Sequence, residues 1–162
     1  MHECERVYAD RLISNTEIQR CIEIIVDVAK RVIDDDQESL FKQPNAWTTF
    51  ATQTMDDSRA YLPIKSMASL KKVLHDQLNE YNEANAIMNL VLFDMAMLHV
   101  VRIARIIGFP QGNALLVGVG GSGKQSLARL ASFICGNTVT QVAVTSTFGV
   151  NELKEELKEL YR

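Results

Sequence analysis

The stretch Gly118-Val119-Gly120-Gly121-Ser122-Gly123-Lys124-Gln125-Ser126 gathers the residue types in this chain best placed to do chemistry. From Gly118 to Lys124 it follows the spacing G-x-x-x-x-G-K. Glycines let the backbone curl until successive N–H groups point at one spot. A helix that starts there adds the positive end of its dipole. Lys124 contributes a full positive charge, suited to the β- and γ-phosphates of a nucleotide. The spacing therefore predicts that residues 118–126 cradle the phosphates of ATP or ADP.

The next position breaks the pattern. Where the usual loop offers magnesium a serine or threonine hydroxyl, this chain has Gln125. Glutamine brings a carbonyl oxygen on a longer arm. The hydroxyl of Ser126 lies one residue on, rotated by about 100° around a helix axis. Phosphate binding is expected to survive this change, whereas Mg2+ would lose its usual protein ligand.

Hydrolysis would need an acidic residue at the end of a later strand. No apolar run after Lys124 ends in Asp or Glu. Two such runs precede the loop, Leu90-Val91-Leu92-Phe93-Asp94 and Ile24-Ile25-Val26-Asp27. The first reads as a segment leading into a helix capped by Asp94, the second as part of a helix with Asp27 on its surface. No arginine has a clear address as a finger. The expectation is a site that binds a nucleotide without catalytic residues of its own.

The elements that must position this loop are legible on either side of it. Ala114-Leu115-Leu116-Val117 is short, apolar and bounded by glycines, which predicts a buried strand. A helix is expected from about Lys124 to Cys135, with Leu127, Leu130, Ala131 and Ile134 inward and Gly136 at its C-terminus. Thr138 to Thr145, rich in Val and Thr, reads as a second strand. Asn151 is placed to cap a last helix carrying Leu153, Leu157 and Leu160.

Upstream the pattern is helical. Ser14 and Glu17 are spaced as a capping box, and Ile18, Ile22, Ile25, Ala29 and Val32 step along one face. Asp34-Asp35-Asp36 ends that run and reads as a solvated loop. Gln43-Pro44-Asn45 and Pro63 mark turns, with Trp47 and Phe50 between them as anchors to a neighbouring element. A second helix is expected from about Ser66 to Tyr81, with a stripe of Met67, Leu70, Leu74, Leu78 and Tyr81. Met88 to Phe93 reads as a short extended segment, and a third helix reaches Ile107, stopped by Gly108-Phe109-Pro110.

Bulk properties narrow the classes. The 162 residues are 47% hydrophobic and 23% charged, an ordinary globular balance. A net charge of −3 gives no reason to expect nucleic acid or an anionic membrane as partner. The longest apolar run, Met95 to Val101, is broken by His99 and is too short to span a bilayer. Cys4, Cys21 and Cys135 form neither a disulfide framework nor a zinc spacing, which fits a reducing compartment. His2, His75 and His99 are equally scattered.

Tyr81-Asn82-Glu83, Met88-Asn89-Leu90-Val91-Leu92-Phe93 and the run QGNALLVGVGGSGKQSL from Gln111 to Leu127 closely resemble the dynein heavy chain, in the fourth AAA+ module of its axonemal branch. GKQS is itself typical of that module. The opening, His2 to Leu12, looks like the end of the third module's helical lid, so the resemblance covers essentially the whole chain. It implies a cytoskeletal, minus-end-directed microtubule motor of the ciliary axoneme, built on a ring of six AAA+ modules. The first module is the main ATPase and the others bind nucleotide for regulation or structure. The implied partners are the neighbouring modules, intermediate and light chains, and microtubules. Carried over residue by residue, Gly118, Gly123 and Lys124 match the phosphate loop. Met88 to Val91 match the segment near the adenine, which makes Asn89, Leu90 and Val91 candidate base contacts.

The expected fold class is thus α/β. Residues 1–60 are a helical lid-like segment with a linker. Residues 61–162 are the N-terminal half of a P-loop AAA+ parallel-sheet module, incomplete because only two strands are present. Two other readings stand beside it: a small stand-alone P-loop nucleotide kinase, and a non-catalytic interaction fragment with a vestigial loop. The kinase would need a lid and an acceptor site after the second strand.

Overall fold

A computed structural model describes residues 1–33, 45–50 and 60–161. The acidic run at 34–36 and the turn at residues 43 and 44 lie outside the described residues.

Helix α1 (His2–Cys4) passes directly into a π-helical turn, Glu5–Ala9. Helix α2 (Asn15–Val32) follows. Strands β1 (Trp47–Thr48) and β2 (Leu62–Pro63) pair antiparallel, Trp47 opposite Pro63. Then come α3 (Met67–Ala84), α4 (Asp94–Ile107), α5 (Lys124–Cys135) and α6 (Val150–Leu160).

The core is built where α3, α4 and α5 meet. Leu74, Met97, Val100 and Leu130 are fully buried there, with Leu70, Leu78, Leu127 and Ala131 around them. Each helix supplies a stripe at three- and four-residue spacing, so the three faces close on one another. Tyr81 of α3 meets Phe133 of α5 edge-on, with ring centroids 5.4 Å apart. That arrangement places the positive edge of one ring against the face of the other. The Cys135 thiol donates to the Ala104 carbonyl at 3.5 Å, a second tie between α4 and α5.

Helix starts follow local chemistry. Ser66 and Ser69 form a reciprocal cap at the head of α3, each side chain accepting the other's backbone N–H at 3.1 Å. Other expected caps are replaced. Phe93 takes the cap position of α4 and Asp94 is its first helical residue. Gly149 caps α6, with the Glu152 carboxylate accepting its N–H at 2.9 Å, so Asn151 lies inside the helix. At α2 the Ser14 hydroxyl meets the Thr16 hydroxyl at 2.5 Å and makes no cap bond to the backbone.

The expected parallel sheet is not formed by the described residues. Among the described residues the only sheet is the β1–β2 pair, and Ala114–Val117 and Thr138–Thr145 form no ladder. Leu115, Val117 and Val144 stand 90%, 86% and 79% exposed. Strands of a parallel sheet are held by neighbours on both edges and covered on both faces. Neither segment has a ladder partner among the described residues, and of 114–117 it is Leu116 that packs against the core. The described residues are mostly helical, with one small antiparallel pair.

Candidate functional site

The glycine-rich loop takes the shape its sequence predicts. Gly121 and Gly123 adopt left-handed backbone angles, φ +76° and +77°, which side-chain-bearing residues avoid. Gly123 is also the N-cap of α5, so the curl runs directly into the helix and Lys124 is its first residue. The opening amides of a helix have no partner within it, and α5 opens at the loop's own Gly123. Above Gly120 and Gly121 there is open space, with nothing within 4 Å of an added Cβ.

Lys124 folds back over this loop. Its Nζ donates to the carbonyls of Gly118 at 2.8 Å and Val119 at 2.7 Å, and to the Ser122 hydroxyl at 3.1 Å. All three acceptors are neutral. Among the described residues no carboxylate pairs with Lys124, so its charge is not neutralised, and an anion would take the place of these neutral acceptors on its three donors. Gln125 is exposed on the first turn and Ser126 is half-buried.

The base-side segment lies against the same space. Leu90 and Val91 line a cavity of about 560 Å³ together with Gly118, Ser122, Gly123 and Lys124. That volume falls within the range of small-molecule sites. A Cβ placed on Gly123 would sit 4.0 Å from Leu90 Cδ1, so the base-side segment and the loop touch. Asn89, expected as a third base contact, is exposed and does not line this cavity. His99 and Arg102 of α4 do line it, at a helical spacing that turns both toward one side.

Two further features escaped the sequence reading. Asn82, near the end of α3, holds Met88 by both backbone groups. Met88 N–H donates to Asn82 Oδ1 at 2.7 Å, and Asn82 Nδ2 donates to the Met88 carbonyl at 3.4 Å. The second is a polar seam between the N-terminal helices and α4. Arg105 donates from Nε to Glu3 Oε1 at 2.9 Å and from Nη2 to Glu3 Oε2. Arg102 reaches Asp10 at 3.4 Å, and Tyr61 donates to Glu3 at 3.1 Å.

Electrostatics follow these contacts. The hydrogen bond from Arg105 lowers the Glu3 carboxyl to about 2, against the pull of partial burial. The same bond raises the Arg105 guanidinium further. Burial, then the Glu3 charge, pushes the Tyr61 hydroxyl up to about 12. Burial lowers His2, whose ring lies against Tyr61 with centroids 6.0 Å apart.

No group of three or more His, Cys, Asp or Glu placed to hold a metal ion is found among the described residues. Among the same residues no helix is long and apolar enough to cross a membrane. Asp27 sits on α2 beside Lys30, at 3.9 Å, and Asp94 is exposed at the head of α4.

Comparison with known proteins adds a separate line. The family described as "P-loop containing dynein motor region D4" matches residues 88–162. The chain is 51% identical to the "Dynein beta chain, flagellar outer arm" of Chlamydomonas reinhardtii, across 100% of its own length and 4% of that protein's. It is 48% identical to the "Dynein beta chain, ciliary" of Heliocidaris crassispina, across 97% of its length and 4% of that protein's. With "Dynein axonemal heavy chain 17" of Homo sapiens it shares 46% identity across 99% of its length, again 4% of the relative. The chain therefore spans about 4% of the length of these curated relatives.

Proposed function

The chain belongs to the axonemal dynein heavy-chain family, with 46% to 51% identity to those relatives over nearly all its residues, and on that premise we propose that it is a nucleotide-binding segment of such a motor. The ligand is ATP or ADP. Gly118, Val119, Gly120, Gly121, Ser122, Gly123 and Lys124 hold its phosphates, with Gln125 and Ser126 on the helix behind them. Leu90 and Val91 form the base-side wall.

The observation that carries this reading is the convergence at the head of α5. A cation with only neutral partners, a left-handed glycine curl and a helix N-terminus border one cavity with an apolar wall. Polyphosphate fits the first three and a purine ring fits the fourth. When bound, the nucleotide would bring its own charge and its own magnesium. Gln125 gives that ion no hydroxyl, so the protein contributes phosphate binding more than metal positioning.

The site is regulatory or structural in this reading. Residues 1–60 belong to the end of a third AAA+ module with its linker, and residues 61–162 open a fourth. The segments 114–117 and 138–145 become parallel strands in the assembled module, and their exposed Leu115, Val117 and Val144 support that reading. The intact heavy chain is an ATPase motor of the ciliary or flagellar axoneme, in the cytoplasmic cytoskeleton. Its partners are neighbouring modules, intermediate and light chains, and microtubules.

A titration with a fluorescent ATP analogue tests the reading. Saturable binding is expected for the chain and is lost in Lys124→Ala. Equal signals from both proteins would remove the phosphate cradle from consideration.

A further inference from the structure

The end of α3 touches, at adjacent positions, the far end of the helix that the phosphate loop opens and the base-side segment. Tyr81 packs its ring edge-on against Phe133, on the helix that the phosphate loop opens. Its neighbour Asn82 holds the base-side segment, accepting the Met88 N–H and donating to the Met88 carbonyl. A side-chain amide is here doing what a second peptide group does across a sheet, pairing with both backbone groups of one residue. The Met88 carbonyl also accepts the Leu90 N–H at 3.1 Å, which closes a tight turn. That turn brings Leu90 against Gly123.

Met88 to Val91 lie in no helix or strand. Their backbone is therefore not set by an element's own ladder; the hydrogen bonds that fix it locally are the Asn82 pair and the Met88–Leu90 turn, while the Met88 and Leu90 side chains pack against the core. From these contacts we propose that Asn82 is a positioning residue for the nucleotide site, fixing the base-side wall at its working distance from the phosphate loop. The inference rests on the nucleotide reading given above. Asn82 hydrogen-bonds Met88 and acts on the ligand through Met88 and Leu90.

This role has a signature that general loss of structure would not produce. A ligand with a base should feel the change at Asn82, and one made only of phosphate should not. The test is calorimetric titration of the purified chain with ATP and with inorganic tripolyphosphate, comparing wild type, Asn82→Ala, Asn82→Asp and Lys124→Ala. Losing a hydrogen-bonded pair of this kind should weaken ATP by about ten-fold, and tripolyphosphate affinity should stay within about two-fold, a shift too small to register as a lost contact. Asn82→Asp keeps the acceptor for the Met88 N–H, the shorter of the two bonds, and should recover most of the ATP affinity. If Asn82→Ala loses its cooperative melt, Asn82→Gln takes its place, since the extra methylene displaces the amide without removing it.

Unchanged ATP affinity in the alanine variant would overturn the proposal. So would an equal fall for ATP and tripolyphosphate, since Asn82 would then be holding the fold as a whole. The nucleotide reading fails in a different way: wild type would bind neither ligand, or Lys124→Ala would bind tripolyphosphate as well as wild type does.

Discussion

Arg105 grips Glu3 with two donors of one guanidinium, Nε and Nη2, each on its own carboxylate oxygen. The two residues are 102 positions apart in sequence. Their pairing joins the N-terminal helices to α4, the helix whose other side packs against the phosphate-loop helix. A forked pair of this type is stronger and more directional than a single charged contact. Tyr61 adds a third donor to the same carboxylate. The base of the proposed site is thus tied, through one helix, to the start of the chain.

That pairing should make the seam acid-sensitive. Hydrogen bonding from Arg105 holds the Glu3 carboxyl at about 2, below its ordinary 4.5. As pH falls below 4.5 the unfolded chain takes up this proton first, so the folded state loses stability. The contribution is complete above 4.5 and is lost as pH falls toward about 2. The Glu3 side chain is 48% exposed, so screening keeps the effect small, below about 1 kcal/mol. Urea melts through that window should show a shallower pH slope for Glu3→Gln than for wild type. Parallel slopes would mean the pair adds nothing to folding.

What the sequence made legible was whatever depends on a helix's own spacing. The stripes of α3 and α5 predicted their burial, and Lys124–Cys135 has the bounds that the loop and Gly136 suggested. The strands failed because an apolar run reports only that burial is wanted. Whether it is met depends on neighbours, and among the described residues Leu115 and Val117 stand largely exposed. Caps shifted because a longer side chain competed: Glu152 reaches the Gly149 N–H, and Asn151 is left inside its helix. At the candidate site, the loop's curl was readable from its glycines. The Asn82 clamp and the Arg105–Glu3 fork were not, since nothing local marks which backbone group or distant carboxylate a polar side chain will meet.

The junction of α4 and α5 should carry much of the stability. Leu130 is 0% exposed at its centre. Truncation to alanine removes buried methyl groups and leaves a cavity, at a cost of about 2–5 kcal/mol. Leu153 of α6, 40% exposed, should lose little by the same change. Denaturant melts of Leu130→Ala and Leu153→Ala measure the contrast. Equal losses would place the cooperative core elsewhere.

Backbone handedness should matter more than space in the loop. Gly123→Ala meets no clash, since the new Cβ would lie 4.0 Å from Leu90. It would still force a side chain into φ +77°, at a cost of about 1–2 kcal/mol. If relaxing that strain opens the curl, polyphosphate affinity falls by roughly ten-fold. Gly120→Ala is the control, because Gly120 has open space and is not among the left-handed glycines. Tripolyphosphate titration of both variants decides the matter, and an equal fall in both would shift the cause from handedness to side-chain bulk.

Gln125 offers the most specific probe of how the site handles metal. It is exposed on the first turn of α5, directly after the lysine that faces the loop. A threonine there would put a hydroxyl where phosphate loops usually hold magnesium. Ser126 does not substitute for it, because one helical residue turns the side chain by about 100°. Magnesium should therefore add little to ATP affinity in the wild-type chain and should strengthen it by several-fold in Gln125→Thr, an effect of roughly 1 kcal/mol. Titrations with a fluorescent ATP analogue, run with magnesium and with a chelator, give the two ratios to compare. Equal ratios would mean that the glutamine carbonyl already serves the ion, or that the ion is held by groups outside this loop, and the account of Gln125 as the altered position would fall.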